Sequence, residues 1–82
     1  MGGGELNRSG TEPENTILLE YDAFNNPIYL GEASIGVASS EAKWRIRRLT
    51  YDGSNNVTAI KWAGGTTRFD KVWDNRATYT YS

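Results

Sequence analysis

Residues 44–62 read WRIRRLTYDGSNNVTAIKW, two short runs rich in β-branched and aromatic residues around a loop of turn formers. That is the signature of a β-hairpin with DGSNN as its loop. The pattern changes phase part-way along. Trp44 and Ile46 share one face of the first run while Leu49 and Tyr51 share the other; in the second run Val57 and Ala59 have one parity, and Ile60 and Trp62 the opposite. With Tyr51 opposite Val57, Leu49 faces Ala59, Arg48 faces Ile60 and Ile46 faces Trp62, so both faces of the hairpin are partly apolar. Two geometries satisfy this: a bulge near Arg47 and Arg48 bends the ribbon, or its two ends pack against different layers. Trp44 and Trp62 are expected in the core on facing strands.

Upstream, TILLEY alternates Ile17, Leu19 and Tyr21 against Leu18 and Glu20, and Asn25, Asn26 and Pro27 then supply turn chemistry. IYLGEA returns as a partner, so a first hairpin is expected over about 17–31. SIGVASSEA reads as a connection, with a short helical turn near Ser39 or Ser40 as N-cap. Downstream, Gly64 and Gly65 make a turn, and FDKVWDNR places Phe69, Val72 and Trp73 at helical spacing. ATYTYS reads as a last strand with Tyr79 and Tyr81 on one face. The turn signals recur every eight to twelve residues. The expected fold is therefore all-β: a small antiparallel barrel or sandwich of about five strands, with a short helical turn before the last strand. Residues 15–82 form this single domain. Residues 1–14, rich in Gly, Glu and Asn, bury too little to offset their ordering entropy and are expected to be a flexible arm.

Composition narrows the chemistry. Among 82 residues there is no cysteine and no histidine, which removes thiolate and imidazole ligands and the commonest general base. No apolar run approaches a membrane span, no secretory leader is legible in MGGGEL, and Leu6 stands where a myristoylation signal needs Ser or Thr. A protein made in the cytoplasm, without membrane contact, is expected. Charge is uneven. Residues 1–42 hold seven acids against Arg8, and residues 43–82 hold eight bases against Asp52, Asp70 and Asp74. The halves either cancel within one fold or match the acidic arm of one copy to the basic face of another, the arm over 1–14 being the segment expected to order on a neighbour.

No motif carries an enzymatic mechanism, and neither a cofactor nor a metal is implied. Asp52, Ser54 and Asn56 echo a calcium loop but lack its closing glutamate. Asp70 and Asp74, one helical turn apart, lie beside Lys71 and Arg76 and read as a surface ion-pair cluster rather than an acid–base pair. The aromatics Trp44, Tyr51, Trp62, Trp73, Tyr79 and Tyr81 interleave with Lys43, Arg45, Arg47, Arg48, Lys61 and Arg68. Three roles fit them: the core of a very small domain, a protein interface, or a platform on which single-stranded nucleic acid stacks, as in OB-like modules. The slightly acidic whole chain counts against nucleic acid.

The run from Lys43 to Ser82 also resembles a group of small proteins of tailed bacteriophages and prophages that share a W.I strand, a YDG turn, a WA.G strand end and a terminal F..VWDNRA..TYS. The matching residues are Trp44 and Ile46; Tyr51, Asp52 and Gly53; Trp62, Ala63 and Gly65; then Phe69, Val72, Trp73, Asp74, Asn75, Arg76 and Ala77, through Thr80, Tyr81 and Ser82. NPIYLGEA at 26–33 extends the likeness to about four-fifths of the chain, while Gly64 replaces an acid of the pattern. The resemblance implies a virion setting: a non-enzymatic structural component of a phage particle, homo-oligomeric and in contact with other virion proteins. Trp73, Arg76, Tyr79 and Tyr81 are the expected interface residues, stabilising the closing strand and its contacts. A glycan- or receptor-binding tip is the further alternative, since exposed Trp and Tyr stack on sugar rings.

Overall fold

The computed structural model describes residues 14–82, so the expected arm over 1–14 lies, but for Glu14, outside the described residues. The fold is all-β and antiparallel. Strands β1 (Asn15–Tyr21), β2 (Pro27–Ser34), β3 (Ala42–Tyr51) and β4 (Val57–Trp62) form a meander in that order, and a two-residue strand β5 (Lys71–Val72) pairs with the early part of β3. A 3-10 helix, Trp73–Thr78, follows directly.

Both hairpins turn by the same chemistry. In the first, the Asp22 carboxylate accepts the backbone N–H of Phe24 (2.8 Å) and of Asn26 (3.0 Å), and Asn25 adopts φ 64°. In the second, Asp52 accepts from Ser54 (2.9 Å) and Asn56 (3.0 Å), and Asn55 also has φ 64°. Aspartate mimics a backbone turn and asparagine tolerates the left-handed region, so YDxxNN specifies this loop twice. The likeness extends into the strands. Each hairpin shifts register just before its loop, between Glu20 and Tyr21 and between Thr50 and Tyr51. The same offset that carries Tyr21 onto Tyr51 carries Leu19 onto Leu49 and Ala33 onto Ala63, both alanines being fully buried. The second hairpin is thus the first moved two strands along the sheet, a step of about 9.5 Å at normal strand spacing.

That bulge corrects the expected pairing. Tyr51 does face Val57, but beyond it Thr50 faces Ala59, Leu49 faces Ile60 and Arg47 faces Trp62. The extra residue enters beside the loop, not near Arg47 and Arg48. Every pair beyond it moves by one, and a one-residue slip exchanges faces. Trp44 is accordingly buried on one face opposite Lys71 of β5, whereas Trp62 is half-buried on the other; the two are not core partners.

Two further segments differ from expectation. Phe69 to Val72 is not helical: Lys71 and Val72 pair with β3 and the helix starts only at Trp73. Pairing with the open early edge of β3 overrides the weak helical spacing. The helix then runs to Thr78, so ATYTYS is not a full strand. Its end pairs through a single bridge, Tyr81 with Ala63, and Trp62 and Ser82 exchange N–H···O bonds of 3.0 and 3.1 Å. Around Ser39 and Ser40 a turn replaces the helical one, closed by Glu41, whose side chain accepts from the Ala38 N–H (2.7 Å) and whose own N–H reaches the Ala38 carbonyl (3.0 Å). The tight return at 64–65 has both glycines left-handed, at φ 65° and 66°, which only glycine adopts at little cost.

Candidate functional site

The four residues singled out in the sequence, Trp73, Arg76, Tyr79 and Tyr81, converge on one face of the sheet. Trp73 lies over Gly31: a Cβ there would come 2.5 Å from Cε3 of the indole, so a residue without a side chain is what admits the ring. Trp44 flanks it, ring centroids 6.2 Å apart and tilted by 42°, within the range where aromatic pairs add to plain burial. The Trp44 indole N–H reaches the Ala38 carbonyl at 3.0 Å. With Ile46, Ala33 and Ala63 these two tryptophans are the buried core.

Arg76 lies against the outer side of Trp73, its guanidinium carbon 4.6 Å from the ring centroid, and donates to Glu20 of β1 at 2.7 Å and to the Trp73 carbonyl at 3.1 Å. One side chain thereby ties the 3-10 helix to the far edge of the sheet. Tyr81 donates to the Arg76 carbonyl at 2.7 Å and packs on Tyr29, while the Tyr79 hydroxyl accepts the Val72 N–H at 2.9 Å. Burial, reinforced by the neighbouring phenols of Tyr29 and Tyr79, pushes the Tyr81 hydroxyl well above the usual tyrosine range. All four residues are thus engaged with their own chain.

The opposite face carries a second cluster that sequence reasoning grouped only loosely. Phe69, Arg45, Trp62 and Arg47 stack in alternation: Arg45 lies 4.6 Å from the Phe69 ring and 5.6 Å from Trp62, and Arg47 lies 4.7 Å from Trp62. Glu32 of β2, its side chain nearly covered, accepts from both arginines at 3.1 and 2.6 Å. Cation–π contacts of this kind contribute about 0.5–2 kcal/mol each, more as water is excluded. The register decided this arrangement: only after the bulge do Trp62 and Arg47 become cross-strand neighbours. At the Phe69 end an open groove is lined by Asn15, Ser34, Val37, Lys43, Arg45 and Phe69. Beyond the stack the same face is aliphatic and uncovered, with Ile17 53%, Leu19 43% and Ile60 54% exposed.

Of the carboxylates weighed as chemistry candidates, Asp52 and Asp70 have partners within the chain. Asp52, held below the usual carboxylate range by the N–H groups of Asn56 and Ser54, uses one oxygen for those bonds and the other for the Asn56 amide at 3.3 Å. Asp70 pairs with its neighbour Lys71, and Asp74 sits in the first turn of the 3-10 helix. Among the described residues no group of three acids is placed to hold a metal ion, and no helix is long and apolar enough to cross a membrane.

Compared with known proteins, the chain matches no protein-family model, and no curated protein or solved structure is significantly similar to it.

Proposed function

We propose that this chain is a non-enzymatic structural component of a tailed-phage particle, working through protein–protein contacts. The observation that carries the reading is how the residues of the phage-like pattern are used. Trp44, Ile46, Ala63 and Trp73 fill the core; Asp52 builds a loop; Tyr51 donates to the Pro27 carbonyl at 2.7 Å; Trp62 and Phe69 hold arginines; Tyr81 braces Arg76. Such a pattern serves a fold. What the fold then offers to the outside is a sheet face with exposed isoleucine and leucine, the composition of a contact with protein. A platform for single strands or sugars needs aromatic faces open to the ligand; here two of the three tryptophans are interior and the third lies beside two guanidinium groups.

Mass spectrometry of purified particles tests this. The expected result is that the chain is present at a fixed ratio to the major capsid protein. Its absence from particles, in a lysate that contains it, overturns the reading.

A further inference from the structure

The repeated hairpin leaves the sheet with two edges that match each other. Within the chain, β2 pairs with β3 so that Tyr29 faces Arg48, Leu30 faces Arg47, Gly31 faces Ile46 and Glu32 faces Arg45. β4 is the repeat-equivalent of β2, and β1 of β3. We infer that β4 of one copy pairs with β1 of a second copy as β2 pairs with β3, a head-to-tail contact that continues the sheet from chain to chain. This deepens the structural reading above and does not need its phage setting.

Moving the internal register by one repeat, forward on β2 and back on β3, gives the contact position by position. Ala59 faces Leu18 of the second copy, Ile60 faces its Ile17, and Lys61 faces its Thr16. The three exposed aliphatics of the open face are thereby brought into one contact, Ile60 (54% exposed) against Ile17 (53%) with Leu19 (43%) beside them. The loops follow the same rule. Inside the chain the Asn26 amide donates to Asn55 Oδ1 at 3.0 Å and the Tyr51 hydroxyl to the Pro27 carbonyl at 2.7 Å. Between copies, Asn56 would donate to Asn25, and Tyr21, itself 53% exposed, to the Val57 carbonyl.

Charge selects the same partner. Residues 14–36 carry Glu14, Glu20, Asp22 and Glu32 with no base, whereas residues 43–66 carry Lys43, Arg45, Arg47, Arg48 and Lys61 against Asp52 alone. Of these, Glu32 is already paired with Arg45 and Arg47 and Glu20 with Arg76; at the edges themselves β4 carries only Lys61 and β1 only Glu20, so the charge preference for β4 with β1 over β4 with β4 or β1 with β1 is one of sign and small in size. The ladder is short. Trp62, next on the outward side of β4, already exchanges both its backbone bonds with Ser82, which leaves Ile60 to pair with Ile17. Being heterologous, the contact repeats, closing into a ring or extending as a filament.

The absence of cysteine makes the test clean. Facing residues in an antiparallel pair lie about 4.5–5.5 Å apart at Cα, within reach of a disulfide. Ile17→Cys and Ile60→Cys chains, distinguished by mass, are mixed at high protein concentration and oxidised. The expected product is the mixed disulfide in clear excess over the random proportion. Ile60→Lys in the wild-type chain should abolish concentration-dependent association in sedimentation while leaving circular dichroism and the melting of the dilute monomer unchanged. A random distribution of disulfides, an excess of Ile17→Cys homodimers, or association untouched by Ile60→Lys each overturns the inference. Any of these in a chain that is still found in particles leaves the function proposed above standing, and the mixed disulfide in a chain absent from particles does the reverse.

Discussion

The two faces of the sheet solve the problem of a small core differently. On the covered face, residues 73–82 fold back over β1 to β4, and Gly31, Trp73 and Trp44 meet within van der Waals distance. On the open face no segment among the described residues covers β1 and β4, and arginine stacks on Trp62 and Phe69 in place of a second layer. A sheet normally packs against another layer on at least one face. Here one short terminal segment supplies that layer and leaves the other face to ion pairs and, by inference, to neighbours. The apolar burial that stabilises the isolated chain should therefore lie mainly on the covered side, with the arginine stack as the open face's own contribution.

Mutations can break that contrast, and the largest effect should come from removing the cover. Deleting residues 77–82 takes away Tyr79, Tyr81 and the bonds to Trp62 and Gly64. Against a typical total stability of about 5–15 kcal/mol, the shortened chain is expected to be largely unfolded by circular dichroism; a melt like that of the full chain would place the stabilising layer elsewhere. Next, Gly31→Ala puts a methyl 2.5 Å from the Trp73 ring, and overpacking of this kind costs about 1–3 kcal/mol, readable in urea midpoints.

A smaller effect is sharper because it has a direction in pH. The Tyr81 hydroxyl has its folded pKa raised above the unfolded value of about 10. Its contribution is complete below that value and declines as pH rises beyond it, since the unfolded chain then loses a proton that the folded one keeps. Melting temperature should fall from about pH 10 upward, and Tyr81→Phe should flatten that fall while lowering stability at neutral pH by about 1 kcal/mol for the lost bond to Arg76. Smallest of all, Ile60→Thr on the open face should change monomer stability by no more than about 0.5 kcal/mol. A larger loss would show that the open face is covered within the chain.

Much of the fold was legible. The hairpin over 17–31, the loop at 52–56 and the glycine turn at 64–65 are written in local chemistry, because aspartate, asparagine and glycine act on the backbone beside them. The convergence of Trp73, Arg76, Tyr79 and Tyr81 was legible as a cluster, though not the partners Glu20, Tyr29 and Gly31, which lie far back in the first half of the chain. The repeat was also open to inspection: YDAFNN at 21–26 returns as YDGSNN at 51–56, and a search for internal periodicity would have found it. The arginine stack had only a diffuse signal, bases alternating with aromatics.

The sequence by itself determined the all-β class, the two YDxxNN loops, the lack of thiol and imidazole chemistry, and the opposition of an acidic first half to a basic second half. Only the tertiary structure decided which residues face which. An extra residue in β4, Thr58, opposite Thr50 and Tyr51, moves every pair beyond it by one, carrying Trp62 to the arginine face and leaving Trp44 in the core. Pairing with β3 likewise turns Lys71 and Val72 from helix into strand. Local propensity fixes a turn because the interacting groups are neighbours in the chain, whereas register is set by packing summed over a whole face, and a strand's own residues contain only half of that sum.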